Sequence, residues 1–164
     1  MPDSIAEESS DTILCSSLVS FTKVKEDVYM ISSQCYMMDI KMKKELNSFV
    51  QPSFANSFNH FSSREQYKVF TKTCFLAIGA TSMKMSMFER FGRFNEKYDF
   101  VEDWSYFLHL TRNGGRIEYF DFDTLRHRDG GVSHYTDNQL VPKHVLAYKY
   151  DMVKDNFIWL RKEF

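Results

Sequence analysis

The sequence predicts an α/β domain in which a small mixed β-sheet is flanked by helices. Three observations carry that expectation. Apolar, β-rich runs at residues 12–21, around 75–83 and at 116–122 read as strands. Residues 101–112 place Trp104, Phe107, Leu108 and Thr111 at i, i+3, i+4 and i+7, one face of a helix. A second helical pattern closes the chain at 140–159, with apolar Val145, Leu146, Tyr148, Met152 and Phe157.

Taken in order, Pro2-Asp3-Ser4 followed by Ile5-Ala6-Glu7-Glu8 reads as a short helix with an acidic first turn. Residues 12–21 (TILCSSLVSF) form a buried strand, a charged turn follows at 23–27, and 28–31 is a second, short strand. Between Ser32 and Ser63 the pattern is poor. Residues 35–46 fit a helix without a clean stripe, and 51–63, rich in Ser, Asn and Phe, read as a long loop. Short helices are expected at 65–71 and 86–91, the second ended by Gly92. The apolar stretch 74–83 is broken by Gly79. Asn113-Gly114-Gly115 stops the best helix, strands follow at 116–122 and 124–128, and Asp129-Gly130-Gly131 is a turn.

The length, 164 residues, is that of one domain, and 43% hydrophobic composition supplies a core. Aromatics reach 16%, with 16 Phe, which suits an aromatic core or a platform for a sugar ring. A net charge of −1 disfavours nucleic acid as a partner. No apolar run approaches the roughly 18 residues of a spanning helix, and Met1-Pro2-Asp3-Ser4 does not open a signal peptide. Cys15, Cys35 and Cys74 are odd in number and lack metal spacing, so reduced thiols in a cytoplasm are expected.

Three constellations carry chemistry. Glu102-Asp103 opens the best helix. Carboxylates there ordinarily favour the helix dipole; one that faces a cleft can serve as a general base. Trp104, next in line, is a core ring or the floor under an acceptor sugar. Ile78-Gly79-Ala80-Thr81 is a strand bulge or a point of close backbone approach to a ligand. Arg126-His127-Arg128, beside Asp129-Gly130-Gly131, is a solvated hairpin or a diphosphate site, with His127 able to ligate a divalent metal. His60, His109 and His144 read as ordinary.

The order of these pieces is more specific than any one of them. Residues 75–134 read FLAIGATSMKMSMFERFGRFNEKYDFVEDWSYFLHLTRNGGRIEYFDFDTLRHRDGGVSH. A small-residue loop precedes a helix, and G-x-F-x-E follows as Gly92-Arg93-Phe94-Asn95-Glu96. An E-D pair then opens a helix ended by glycine, and a strand leads to a basic, histidine-containing motif. This resembles the second half of the family 2 glycosyltransferases, which have a GT-A fold. The likeness extends firmly over 75–134, thinly over 2–28 and not at all over the middle loop.

The resemblance implies a partial GT-A fold that transfers a sugar from a nucleotide-diphospho-sugar to a glycan or lipid-linked acceptor, with inversion, in surface polysaccharide synthesis. It implies Asp103 as the base and Glu102 as a positioning group. Gly79, Ala80 and Thr81 would line the acceptor and donor-sugar side. His127, with Arg126 or Arg128, would lie at the metal-diphosphate end, where a Mn²⁺ or Mg²⁺ ion offsets the charge of the leaving group. The family's nucleotide-binding half and its D-x-D motif have no counterpart here. The chain reads as if it begins just after that motif, and inactivity without that half is expected. The alternative is a non-catalytic, glycan-binding or partner-assembled remnant. Strand edges left by the missing half would favour homo-oligomers. Lys149, Lys154, Arg161 and Lys162 on the last helix offer a peripheral contact with an acidic membrane, or a solvated face.

Overall fold

The computed structural model describes residues 25–48, 52–98, 100–129 and 143–162. The helix and strand expected before residue 22, and the turn at Gly130-Gly131, lie outside the described residues. What is described is mixed α/β, a small open sheet of four strands flanked by helices. Strand β1 (Val28–Met38) is its centre. On one side β4 (Arg116–Arg128) runs parallel to β1 along its whole length. The other side is shared by two short antiparallel strands. β3 (Thr81–Met83) pairs with residues 30–32, and β2 (Glu45–Ser48) pairs with residues 36–38.

The first half of β1 is buried on both faces: Val28, Tyr29, Met30, Ile31, Ser32 and Ser33 are all shielded from solvent. A strand covered on both faces needs no alternation of apolar and polar residues. The pattern in sequence therefore ends this strand at Ile31 and suggests a helix for 35–46. Residues 35–38 instead complete β1, and 45–48 form β2. The two serines fit because their hydroxyls are occupied. Ser32 Oγ lies 3.0 Å from the Thr81 hydroxyl, and Ser33 Oγ donates to the Ala80 carbonyl and meets the hydroxyl of Thr124.

The segment expected as a long loop folds into a 3₁₀ turn, Ala55–His60. It sinks Phe58 into an aromatic cluster with Phe61, Phe70 and Phe75, ring centroids 5.1–6.0 Å away. Helix α1 (Ser63–Phe70) follows behind a reciprocal cap in which the Ser62 hydroxyl accepts from Glu65 N and the Glu65 carboxylate accepts from Ser62 N. Two amide side chains then close the outer edge of β4. Gln66 accepts from Ile117 N at 2.9 Å and donates to Ile117 O at 2.7 Å. Asn59 does the same for Tyr119, with both bonds at 2.7 Å. Over this stretch the outer edge of β4 is covered by side chains that copy a neighbouring strand.

Helix α2 (Met85–Phe91) ends at Gly92, whose φ of 81° requires glycine. Helix α3 (Glu102–Arg112) falls where its periodicity places it, and it buries Phe107, Leu108 and Thr111 as that stripe requires. Tyr106 and Leu110 are buried as well, so its neighbours cover more than one face. The two strands expected after it are one, bent by extra residues opposite Ser33, Gln34 and Cys35. The last helix, α4 (Lys143–Lys162), buries Val145 and Met152 but leaves Leu146 exposed. It is tied to α1 by the Tyr67 hydroxyl, which donates to the Asn156 side chain at 2.8 Å.

Gly115 lies in the turn between α3 and β4. A Cβ there would stand 2.4 Å from Leu110 Cδ1 and 3.2 Å from Phe91 Cζ. Leu110 is fully buried and cannot swing aside. Gly115→Ala is therefore expected to destabilise the fold by about 1–3 kcal/mol, read from urea unfolding midpoints.

Candidate active site

The C-terminal ends of β1 and β4, the 3₁₀ turn Ile78–Ala80, the start of α3 and the face of α4 enclose a cleft of about 340 Å³. Asp103, Trp104, Gly79 and His127 all line it, although 48 residues separate Gly79 from His127 in sequence. Each arrives by a different local rule. Strand alternation turns Leu125 and His127 into the cleft, and leaves Arg126 and Arg128 exposed between them, off the cleft wall. Gly79 lets its turn close onto β4, since a Cβ there would stand 2.8 Å from Leu125 Cδ2.

The first turn of α3 separates its two carboxylates. Val101 offers no side-chain cap, so the free N–H groups need another acceptor. Asp103 supplies it, accepting from Trp104 N at 2.6 Å, while it also faces the cleft. Glu102 is exposed and does not line the cleft. Trp104 is half-buried. Its indole N–H donates to Phe70 O at 2.7 Å, which fixes the ring while one side stays on the cleft. Ala80 is buried and its carbonyl accepts from Ser33; Thr81 turns its hydroxyl to Ser32 and Ala77. These two stand behind the cleft and hold Gly79 in place.

Burial pushes the Asp103 carboxyl above its usual range, and the Glu102 charge adds to the effect. The Trp104 N–H and the Lys149 ammonium oppose it without cancelling it. Lys149, on α4, lines the same cleft. Burial, reinforced by Asp103, pushes the Cys74 thiol up to about 12. Burial also raises Cys35. Neither thiol forms thiolate near neutrality, so both are cleft wall rather than nucleophile. Iodoacetamide at pH 8 should label these two cysteines in the native protein far more slowly than in urea, as followed by peptide mass. Labelling at equal rates would remove them from the protected wall.

Sequence reasoning misses Cys35, Cys74, Leu125, Phe100 and Lys149 as cleft residues. Lys149 carries no local signal at all, because only the docking of α4 brings it there. Among the described residues, no three His, Cys, Asp or Glu side chains converge to hold a metal ion. His127 alone does not satisfy Mn²⁺ or Mg²⁺, which take several oxygen ligands. Among the described residues no helix is long and apolar enough to cross a membrane. No protein-family profile, curated protein or solved structure matches this chain.

Proposed function

We propose that the chain is the acceptor-side, catalytic-base part of an inverting glycosyltransferase of the GT-A, family 2 kind. The observation that carries the reading is the single cleft. Motif residues identified in sequence for separate reasons meet there, and the aspartate on its wall is held above the usual carboxylate range. A carboxyl raised above its ordinary value is a better proton acceptor than an ordinary aspartate.

In this reading Asp103 takes the proton of an acceptor hydroxyl. The acceptor oxygen then attacks the anomeric carbon of a nucleotide-diphospho-sugar, and the bond from that carbon to the diphosphate oxygen breaks, with inversion. Trp104 supports the acceptor ring. Lys149, on the same wall, opposes the charge on Asp103. Glu102, on the solvent side of the turn, acts on Asp103 through its charge. Arg126, Arg128 and His127 remain proposed for the diphosphate end, with His127 alone of the three on the cleft wall.

A second reading is glycan binding without transfer, in which Trp104 and Phe100 on the cleft wall hold a sugar and Asp103 takes no proton. Release of nucleoside diphosphate separates the two. It is measured over a panel of nucleotide-sugars with glycan acceptors, with the chain alone and with a separately supplied donor-binding half. Release that depends on Asp103 supports transfer. Acceptor binding with no release in either format supports the second reading.

A further inference from the structure

Phe100 lies two residues before α3 at φ 65°, in the left-handed region that bulky residues avoid. A glycine or asparagine would hold that backbone at less cost. Burial does not explain the phenyl ring. Its neighbours Tyr98 and Val101 are 8% and 4% exposed, while Phe100 is 43% exposed. Phe100 lines the cleft, as Trp104 does. It is backed from α4 by His144, at 6.0 Å between ring centroids, and His144 rests on Tyr148 at the same distance. A strained residue that presents a large apolar ring to a cleft, close in sequence to the acidic group, points to a binding role.

The rest of the wall narrows the ligand class. A wholly apolar occupant, such as a lipid tail, would desolvate Asp103 and Lys149 and return no hydrogen bond. A wholly polar one would leave two aromatic rings idle. A pyranose satisfies both, with hydroxyls on its edge and a C–H surface on one face.

Resting on the glycosyltransferase reading, we propose that Phe100 is the specificity-determining platform of the cleft. With Trp104 it holds an acceptor pyranose against the cleft wall by the C–H face of the sugar ring. The left-handed backbone holds the ring over the acceptor position, and α4 sets its tilt.

The test titrates methyl β-D-glucopyranoside and cyclohexanol into the whole chain. Binding is followed by the ¹H–¹⁵N shift of the Trp104 indole, assigned with the Trp159→Phe variant. Wild type and Phe100→Tyr should bind the glucoside alike. Phe100→Gly should bind it about tenfold more weakly. Its melting temperature should match or exceed wild type, because glycine relieves the backbone, so weaker binding is not unfolding. Undiminished affinity in Phe100→Gly overturns the platform, as does a wild type that does not bind the glucoside. Cyclohexanol bound as tightly as the glucoside overturns the sugar assignment and leaves an apolar groove. Asp103→Asn keeps the two proposals apart. If it leaves transfer intact while Phe100→Gly loses the glucoside, the base falls and the platform stands. The opposite pair of results reverses that.

Discussion

Asp103→Asn is expected to lower glycosyl transfer by about 10²–10⁴-fold and, at neutral pH, to make the protein more stable. Both effects come from the same burial. Asparagine has the shape of aspartate, and its side-chain oxygen can still accept from Trp104 N, so the start of α3 is preserved. It cannot take a proton. In the folded chain burial holds the Asp103 carboxyl above its ordinary value, whereas in the unfolded chain it titrates near about 3.9. Below the unfolded value both states are protonated, and the aspartate carries no penalty. As pH rises through the window between the unfolded and the raised folded value, the unfolded state releases its proton first, and stability falls. Above the folded value the loss is complete. The advantage of asparagine should therefore be absent near pH 3, grow through the window and level off above the folded value. Thermal midpoints of the two proteins from pH 3 to 8 check this. A gap that does not change with pH removes the buried carboxyl, and unchanged turnover removes the base.

Gln66→Leu is the second large effect. Gln66 is fully buried, and its amide serves both backbone groups of Ile117 as well as the Phe58 carbonyl, at 3.3 Å. Leucine has similar bulk and restores none of these bonds. Leaving a buried N–H and a buried C=O unmet costs about 1–3 kcal/mol each, so a loss of about 2–6 kcal/mol is expected. For a chain of this size that lowers the melting temperature by about 4–24 °C. Gln66→Glu should not rescue it, because an ionised carboxylate can accept from Ile117 N but cannot donate to Ile117 O. A leucine variant that melts with wild type would show that solvent, not Gln66, satisfies this edge. Light scattering on the same variants reads out the opened edge, with Gln66→Leu expected to associate more readily than wild type.

Local rules make part of this protein legible from its residues alone. Helix α3 carries its own apolar stripe and a glycine stop, so residues 101–112 specify it without help from the rest of the chain. Gly92 likewise marks the end of α2 by a backbone angle that other residues resist. The central strand is only half legible. Burial on both faces erases the alternation that identifies a strand, and Ser32-Ser33 looks like its end because the partners of their hydroxyls lie 47 to 91 residues away. The 3₁₀ turn at Ala55–His60 is hidden for a related reason. Phe58 is ordered by rings from other segments rather than by its neighbours in sequence.

The site divides along the same line. Residue types and spacing by themselves determined which side chains could do chemistry: a carboxylate at a helix start, a glycine turn, and a histidine near the end of a strand. Packing between distant segments sets which of them share a cleft. Alternation along β4 admits His127 and turns Arg126 and Arg128 away, and the first turn of α3 admits Asp103 and turns Glu102 outward. Docking of α4 adds Lys149, and the backbone before α3 adds Phe100. A sequence specifies each group's chemistry residue by residue. Direction and burial, which decide whether that chemistry meets a ligand, are set by contacts between segments far apart in the chain.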